Sequence, residues 1–278
     1  MSYAIDTWGV DDAPPILLSN PLGTTLAVWD HVVPQLLAMG FNVLRYDHPG
    51  HGESDVPQDL SSTTFESLAD DVHHLLRHLS VPILFAWIGV SLGAATSIVF
   101  TMKYPRMVEN LIVCDTISCS PINEGAVDYF QPRLDAIRKA GNLDAYIGET
   151  LNRWFGRPWL DANPNEEIRM RDLMHDVSVA GIVTCCSALR SQSFDLRGWA
   201  SAAGGHVNHA QLLIGQKDTA LRQSMEELRR DIEGGLRNKT GDNYQVVFLE
   251  DVENAGHVCF IDGLDSFMHR LRDFLQIL

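Results

Sequence analysis

The sequence predicts an α/β fold: a mostly parallel sheet with helices on both faces and a helical cap inserted between its fourth and fifth predicted strands. Three observations predict it. Apolar, β-rich runs alternate with helical patterns over most of the chain, the pattern of a parallel sheet covered on both sides. One run, Ile83-Leu84-Phe85-Ala86-Trp87-Ile88, drives directly into Gly89-Val90-Ser91-Leu92-Gly93 and then a helical segment. The alternation stops from about Ser120 to His209, where helical segments follow one another without an intervening strand.

The start, Met1 to Asp6, lacks the basic and apolar regions of a leader, and no apolar stretch approaches the roughly 18 residues needed to cross a bilayer. A soluble, cytoplasmic protein is therefore expected. The first predicted strand is Ile16 to Ser19, followed by the loop Asn20-Pro21-Leu22-Gly23-Thr24-Thr25 and a helix from Ala27 to Met39. Asn42 to Tyr46 reads as the second strand, and Asp47 to Ser54, rich in Gly and His, as a turn that His48 and His51 organise. Thr63 to Leu79 has helical periodicity, with Leu68, Val72, Leu75, Leu76 and Leu79 inward and Asp70, Asp71, His73, His74, Arg77 and His78 on a solvated face. Metal binding by that His-rich face is the weaker reading. The helix after Ser91 keeps an apolar face to Tyr104 and stops before Pro105. Leu111 to Cys114, Gln211 to Ile214 and Gln245 to Leu249 are the remaining strands, with helices at Leu221 to Arg237 and Leu264 to Leu278. This divides the chain into a core, residues 1–119 and 210–278, and a helical cap, residues 120–209.

The chain has 278 residues, 45% of them hydrophobic, enough for one large domain carrying an insertion. Its net charge of −15 opposes binding to nucleic acid or an anionic membrane, both of which draw on clustered Lys and Arg. The segment from Pro121 to Ala200 has nine basic residues against eleven acidic ones, so most of the negative charge lies on the core. Five cysteines, Cys114, Cys119, Cys185, Cys186 and Cys259, are odd in number and lack metal-ligand spacing, which predicts reduced, mostly buried thiols. No metal or cofactor is expected. A homodimer is compatible with the sequence, but no segment demands one.

The segment around Ser91 carries the chemistry. Glycines flanking a serine let the chain turn sharply from strand to helix and present the hydroxyl at the helix N-terminus in a strained conformation. Serine is a weak nucleophile at neutral pH, so an imidazole must take its proton and a carboxylate must orient that imidazole. Of 11 histidines, His257 lies in Asn254-Ala255-Gly256-His257, between the last predicted strand and the C-terminal helix, where it can reach back over the strand ends. Asp218 follows the strand ending at Ile214 and gives the chain order Ser91, Asp218, His257; Asp115, at the end of Leu111 to Cys114, is the alternative acid. An oxyanion needs two aimed donors. Leu92 N–H, directly after the serine, is one. Leu22 is the choice for the other, because Pro21 has no N–H and Gly23 permits the turn.

These segments, Ser19 to Thr25 with Trp29-Asp30, Leu44 to Asp55, Ile88 to Ala94 and Ala255-Gly256-His257, resemble the α/β-hydrolase superfamily, and within it the 3-oxoadipate enol-lactonases. The resemblance covers the first 115 or so residues and touches the cap at Arg153-Trp154-Phe155. It implies a Ser91–Asp218–His257 triad, Leu22 and Leu92 as oxyanion donors, no cofactor, and ring opening of a small lactone. Ala94 stands where the family commonly has glycine, and Val258-Cys259-Phe260-Ile261-Asp262 replaces a polar run with a glutamate. These departures point to a different substrate, as does the apolar stretch Thr184 to Leu189 in the cap. Arg153 and Trp154 are candidate substrate-binding residues; a guanidinium pairs bidentately with a carboxylate, and a structural salt bridge is the alternative for Arg153. The reading is a lactone or carboxylic ester hydrolase. Acyl transfer, thioester hydrolysis or macrolactone formation would use the same acyl-enzyme, and a non-catalytic ligand-binding role is the third alternative. The expected partner is a small ester, lactone or thioester.

Overall fold

The computed structural model describes residues 1–6, 13–241 and 243–277. A seven-stranded sheet runs in the order β1-β3-β2-β4-β5-β6-β7. Its strands are β1 (Tyr3–Asp6), β2 (Pro15–Ser19), β3 (Asn42–Tyr46), β4 (Leu84–Val90), β5 (Val108–Cys114), β6 (His209–Gly215) and β7 (Leu249–Val252). Every pairing is parallel except β1 with β3, so the α/β class with a mostly parallel sheet is observed as predicted.

The helices are α1 (Val33–Ala38), α2 (Phe65–His78), α3 (Leu92–Lys103), α4 (Pro121–Glu124), α5 (Phe130–Ala140), α6 (Asp144–Phe155), α7 (Arg157–Ala162), α8 (Pro164–His175), α9 (Val179–Arg190), α10 (Trp199–Gly204), α11 (Arg222–Thr240), α12 (Cys259–Asp262) and α13 (Leu264–Ile277). Alternate strand residues feed two cores. Ile16, Leu18, Ile88, Ile112 and Leu213 pack with α1 and α13 on one face. Leu17, Trp87, Leu111, Val113 and Leu212 pack with α2, α3 and α11 on the other. Burial on both faces is why these strands read as continuous apolar runs rather than alternating ones. Helices α4 to α10 fill the interval between β5 and β6; α5, α6, α8 and α9 extend the first core, while α10 packs on α3 and α11.

The sequence reading misses or misplaces several elements. β1 was not anticipated; it is a short antiparallel edge strand whose residues are only partly buried, so it carries little hydrophobic signal. The helix expected from Ala27 to Met39 is broken into a 3₁₀ turn, Leu26–Trp29, and α1. Pro34 causes the break, since it has no N–H and its ring would meet the carbonyl of Asp30 in a continuous helix. The last strand is Leu249–Val252 and not Gln245 to Leu249. The Val247 carbonyl accepts from Arg229 Nη1 at 3.2 Å instead of from a ladder partner, and Val246 and Phe248 are exposed. Leu278, assigned to the last helix from sequence, lies outside the described residues.

Candidate active site

β4 delivers Ser91 and α3 leaves from it. Ser91 has φ 55° and ψ −115°, far from either strand or helix, a conformation that costs about 1–3 kcal/mol and persists only where its surroundings enforce it. They do so through three bonds: Ser91 N–H donates to Cys114 O at 3.0 Å, and Ser91 O accepts from Ala95 N–H at 3.0 Å and Thr116 Oγ1 at 2.9 Å. The flanking glycines serve close approach rather than unusual φ. A Cβ on Gly89 would lie 2.7 Å from Ala94 N, and one on Gly93 2.4 Å from Ser19 O. Among the described residues the Ser91 hydroxyl has no hydrogen-bond partner, and it faces a cavity of about 370 Å³.

His257 and Asp218 line the same cavity, from the loops after β7 and β6. Nδ1 of His257 lies 2.6 Å from Asp218 Oδ2, which assigns the proton to Nδ1 and leaves Nε2 as the acceptor. His257 N–H donates to Trp154 O at 3.3 Å, and the Trp154 indole lies against the imidazole, centroids 5.8 Å apart and planes at 25°. Asp115 also borders the cavity but does not reach His257. Its Oδ1 accepts from Gly215 N–H at 2.8 Å, and its Oδ2 is buried without a partner among the described residues. Burial, then the nearby Asp218 charge, pushes the Asp115 carboxyl well above the usual carboxylate range.

Leu22 N–H and Leu92 N–H have no partner among the described residues. The Leu22 loop is fastened from three sides. The fully buried Asn20 donates to Tyr46 O at 3.1 Å, accepts Trp29 Nε1 at 2.9 Å on its side chain, and accepts Gly93 N–H at 3.1 Å on its carbonyl. His48 Nε2 donates to Asn20 O at 3.0 Å, while His51 Nε2 accepts Gly23 N–H at 3.0 Å and its Nδ1 donates to Pro49 O at 3.0 Å. Burial pushes His48 down to about 4 and, with the adjacent His48, His51 down to about 3, so both stay neutral. The role read from sequence for these histidines, organising the Asp47–Ser54 turn, extends to the loop it faces. Trp29 in turn stacks on Phe260 of α12, centroids 3.9 Å apart, which couples the Leu22 loop to the segment after His257.

The cavity is also lined by apolar side chains, among them Phe130, Leu134, Ile137, Ile182 and Leu189, and by the guanidinium-bearing Arg133 and Arg153. Arg153 and Arg133 pair with no carboxylate among the described residues, so the salt bridge considered for Arg153 is not formed. Desolvation and the Arg133 charge lower the Arg153 pKa, and Arg133 lies over the Tyr129 ring at 5.7 Å. Trp154 Nε1 is a buried donor without a partner among the described residues. Of the stretch Thr184 to Leu189, only Cys186 and Leu189 face the cavity; Thr184 instead bonds Thr63 at 2.7 Å. Burial pushes the Cys186 thiol up to about 12, so it does not compete as a nucleophile at neutral pH. Among the described residues no group of three His, Cys, Asp or Glu is arranged to hold a metal ion, and no helix is long and apolar enough to cross a membrane.

Sequence reasoning missed Asn20, Trp29 and Thr116 as scaffold and Arg133 as a lining cation. Arg133 has no motif; only the missing acidic partner, a property of the fold, singles it out.

Residues 14–264 match the family described as the alpha/beta hydrolase fold. The chain is 31% identical over 192 residues to 3-oxoadipate enol-lactonase 2 of Acinetobacter baylyi, covering 68% of this chain and 67% of that one. In structure it is similar to an enol-lactonase from Burkholderia xenovorans, with a TM-score of 0.82, 29% identity, and 99% and 96% of the two chains covered. A hydrolase from Pseudomonas aeruginosa gives a TM-score of 0.81 at 26% identity, with 98% and 93% covered.

Proposed function

The chain belongs to the α/β hydrolase family and is a hydrolytic enzyme, and from that premise we propose that it opens a lactone or cleaves a carboxylic ester through an acyl-enzyme on Ser91. One observation carries the reading: a serine in a strained elbow, an Asp-bonded imidazole and Leu22, whose N–H is unspent among the described residues, border a single cavity, and the equally unspent Leu92 N–H directly follows the serine. His257 Nε2 takes the proton as Ser91 Oγ attacks the carbonyl carbon. Leu22 and Leu92 N–H receive the developing oxyanion, and the positive end of α3 adds to them. Collapse expels the alkoxide or enolate oxygen, which takes the proton from His257; in a lactone that oxygen stays tethered to the acyl group. Water, deprotonated by the same Nε2, then releases the acid and restores Ser91. Asp218 keeps the imidazole in the Nδ1–H tautomer and stabilises the imidazolium.

In this reading residues 120–209 form the cap, and it sets the substrate. Because Ser91, Arg153 and Arg133 line one cavity, one small molecule would place its carbonyl at Ser91 and a carboxylate at the arginines, with the Trp154 indole N–H as a further donor. The names of the enol-lactonase relatives agree with an anionic lactone, and the apolar wall favours one bulkier than a short dicarboxylate.

The test is labelling by a fluorophosphonate, with and without Ser91→Ala, beside a panel of lactones, aryl esters and acyl thioesters read by mass spectrometry. Labelling and free-acid release that both require Ser91 are expected. A folded wild-type protein that neither labels nor turns over any of them would overturn the proposal.

A further inference from the structure

Two glycines abut behind the His257–Asp218 pair. A Cβ on Gly215 would lie 2.0 Å from Gly256 O, and one on Gly256 would lie 1.7 Å from Trp154 O. Each glycine begins a segment that carries a reacting side chain: Gly215 ends β6 just before Asp218, and Gly256 immediately precedes His257. Each also gives its N–H to a carboxyl from another part of the chain. Gly215 donates to Asp115 Oδ1 at 2.8 Å, and Gly256 donates to Asp262 Oδ2 at 2.8 Å. In both acids the second oxygen, Asp115 Oδ2 and Asp262 Oδ1, is buried without a partner among the described residues. Burying a carboxyl that makes a single bond is costly, and closing the short helix α12 does not require it, since Gly263 N–H already bonds Cys259 O at 3.2 Å.

Resting on the acyl-enzyme reading above, we propose that Asp262 is a positioning residue for His257: by holding Gly256 N–H it fixes the peptide that carries the imidazole, which bonds Asp218 and lines the same cavity as Ser91. Asp115 is its counterpart on the Asp218 side. The two segments are stapled to each other as well, through Lys217 N–H to Ala255 O at 2.8 Å and Asn254 N–H to Gln216 Oε1 at 3.0 Å. Gly256 is wedged against Trp154 O, and a lost Asp262 bond frees the N–H of the peptide that immediately precedes His257. The acid itself is not required. Burial raises Asp262 to about 7, against the opposing effects of the Gly256 N–H and Lys217, so both protonation states are populated near neutral pH. A proton on the free Oδ1 leaves Oδ2 accepting from Gly256 in either state.

The experiment compares Asp262→Asn, which keeps an acceptor oxygen, with Asp262→Leu, which keeps the branched heavy-atom shape, is somewhat larger, and removes the acceptor. Fluorophosphonate titration counts competent sites, and kcat is expressed per site. Asp262→Leu should lower kcat per site by about tenfold or more with KM within about twofold, and Asp262→Asn should restore it to within about threefold of wild type. The low-field proton resonance of His257 Nδ1–H should shift or vanish in the Leu variant and persist in the Asn variant. If Asp262→Leu does not fold, Asp262→Ala takes its place with the same expectation. A variant that loses thermal stability or competent sites while kcat per site and the resonance stay at wild-type values would overturn the proposal, leaving a purely structural role. Absence of labelling and turnover in the wild type would instead bring down the acyl-enzyme reading first, and this inference with it.

Discussion

Acid should destabilise this protein through His48 and His51 in a way that substitution can isolate. Both rings are fully buried, and their pKa values fall from the ordinary 6.5 to about 4 and about 3. A group whose pKa is lowered in the folded state contributes stability that is present above the unfolded value and is lost as pH falls below it. Between about pH 6.5 and pH 4 the unfolded chain takes up two protons that the folded chain refuses, so going from about pH 7 to about pH 5 costs about 2 kcal/mol per ring. Asp262 works in the opposite direction, because its pKa is raised from 3.8 to about 7 and the folded state holds the proton. Over the same interval it returns about 2 kcal/mol, which masks much of the histidine effect in the wild type. The double variant His48→Asn/His51→Gln removes the histidine contribution while retaining amide groups for Asn20 O and Gly23 N–H. Urea unfolding followed by tryptophan fluorescence at the two pH values should show the variant gaining about 3–4 kcal/mol on acidification relative to the wild type. Equal pH dependence in the two proteins would refute the argument that these rings are held neutral.

Three further outcomes follow from the same geometry. Gly93→Ala places a Cβ 2.4 Å from Ser19 O and should lower stability by about 3 kcal/mol or more, whereas Gly234→Ala, in α11 with open space around it, should raise stability by up to about 1 kcal/mol; unfolding midpoints decide both. Asp218→Asn should lower kcat by about four orders of magnitude by removing the acceptor that sets the imidazole tautomer, while Asp115→Asn, which keeps an acceptor for Gly215 N–H and makes no bond to His257, should stay within about tenfold of wild type in steady-state turnover. Arg153→Gln should raise KM about tenfold for a substrate bearing a carboxylate and leave its methyl ester unchanged, a contrast read from paired kinetics.

The fold was legible where one physical signal dominated. Two-faced burial turns β2, β4 and β5 into apolar runs, and α2 announces itself by an inward apolar stripe. The signal failed where local pattern and tertiary contact disagree. Ala27 to Met39 has the composition of one helix, but Pro34 divides it, and the division lets Asp30 Oδ1 meet Arg45 Nη1 at 2.6 Å. Gln245 to Leu249 has strand composition, yet the ladder begins only where Leu249 pairs with Leu212. That offset brings the following loop, with His257, to the level of Asp218.

Legibility in the site divides in the same way between chemistry and support. Ser91, His257 and Asp218 stand at strand ends beside glycines, so spacing alone proposes them. Nothing in the spacing could have ranked Asp218 above Asp115 by more than position, because the deciding fact is which carboxyl meets His257 and which meets Gly215. The support is less visible because it is made of contacts to the backbone across long sequence distances: Asn20 to Gly93, His51 to Gly23, His257 to Trp154. Those contacts share a design. Each fastens a peptide bearing a reacting or donating group by a polar atom that is fully out of water, where a misplaced bond has no solvent to replace it. The elbow's strain at Ser91, the neutral histidines and the paired glycines at 215 and 256 are thus one arrangement. Stability is spent on holding loops rigid at the end of the sheet that carries Ser91, Asp218 and His257, largely through residues that do not line the cavity.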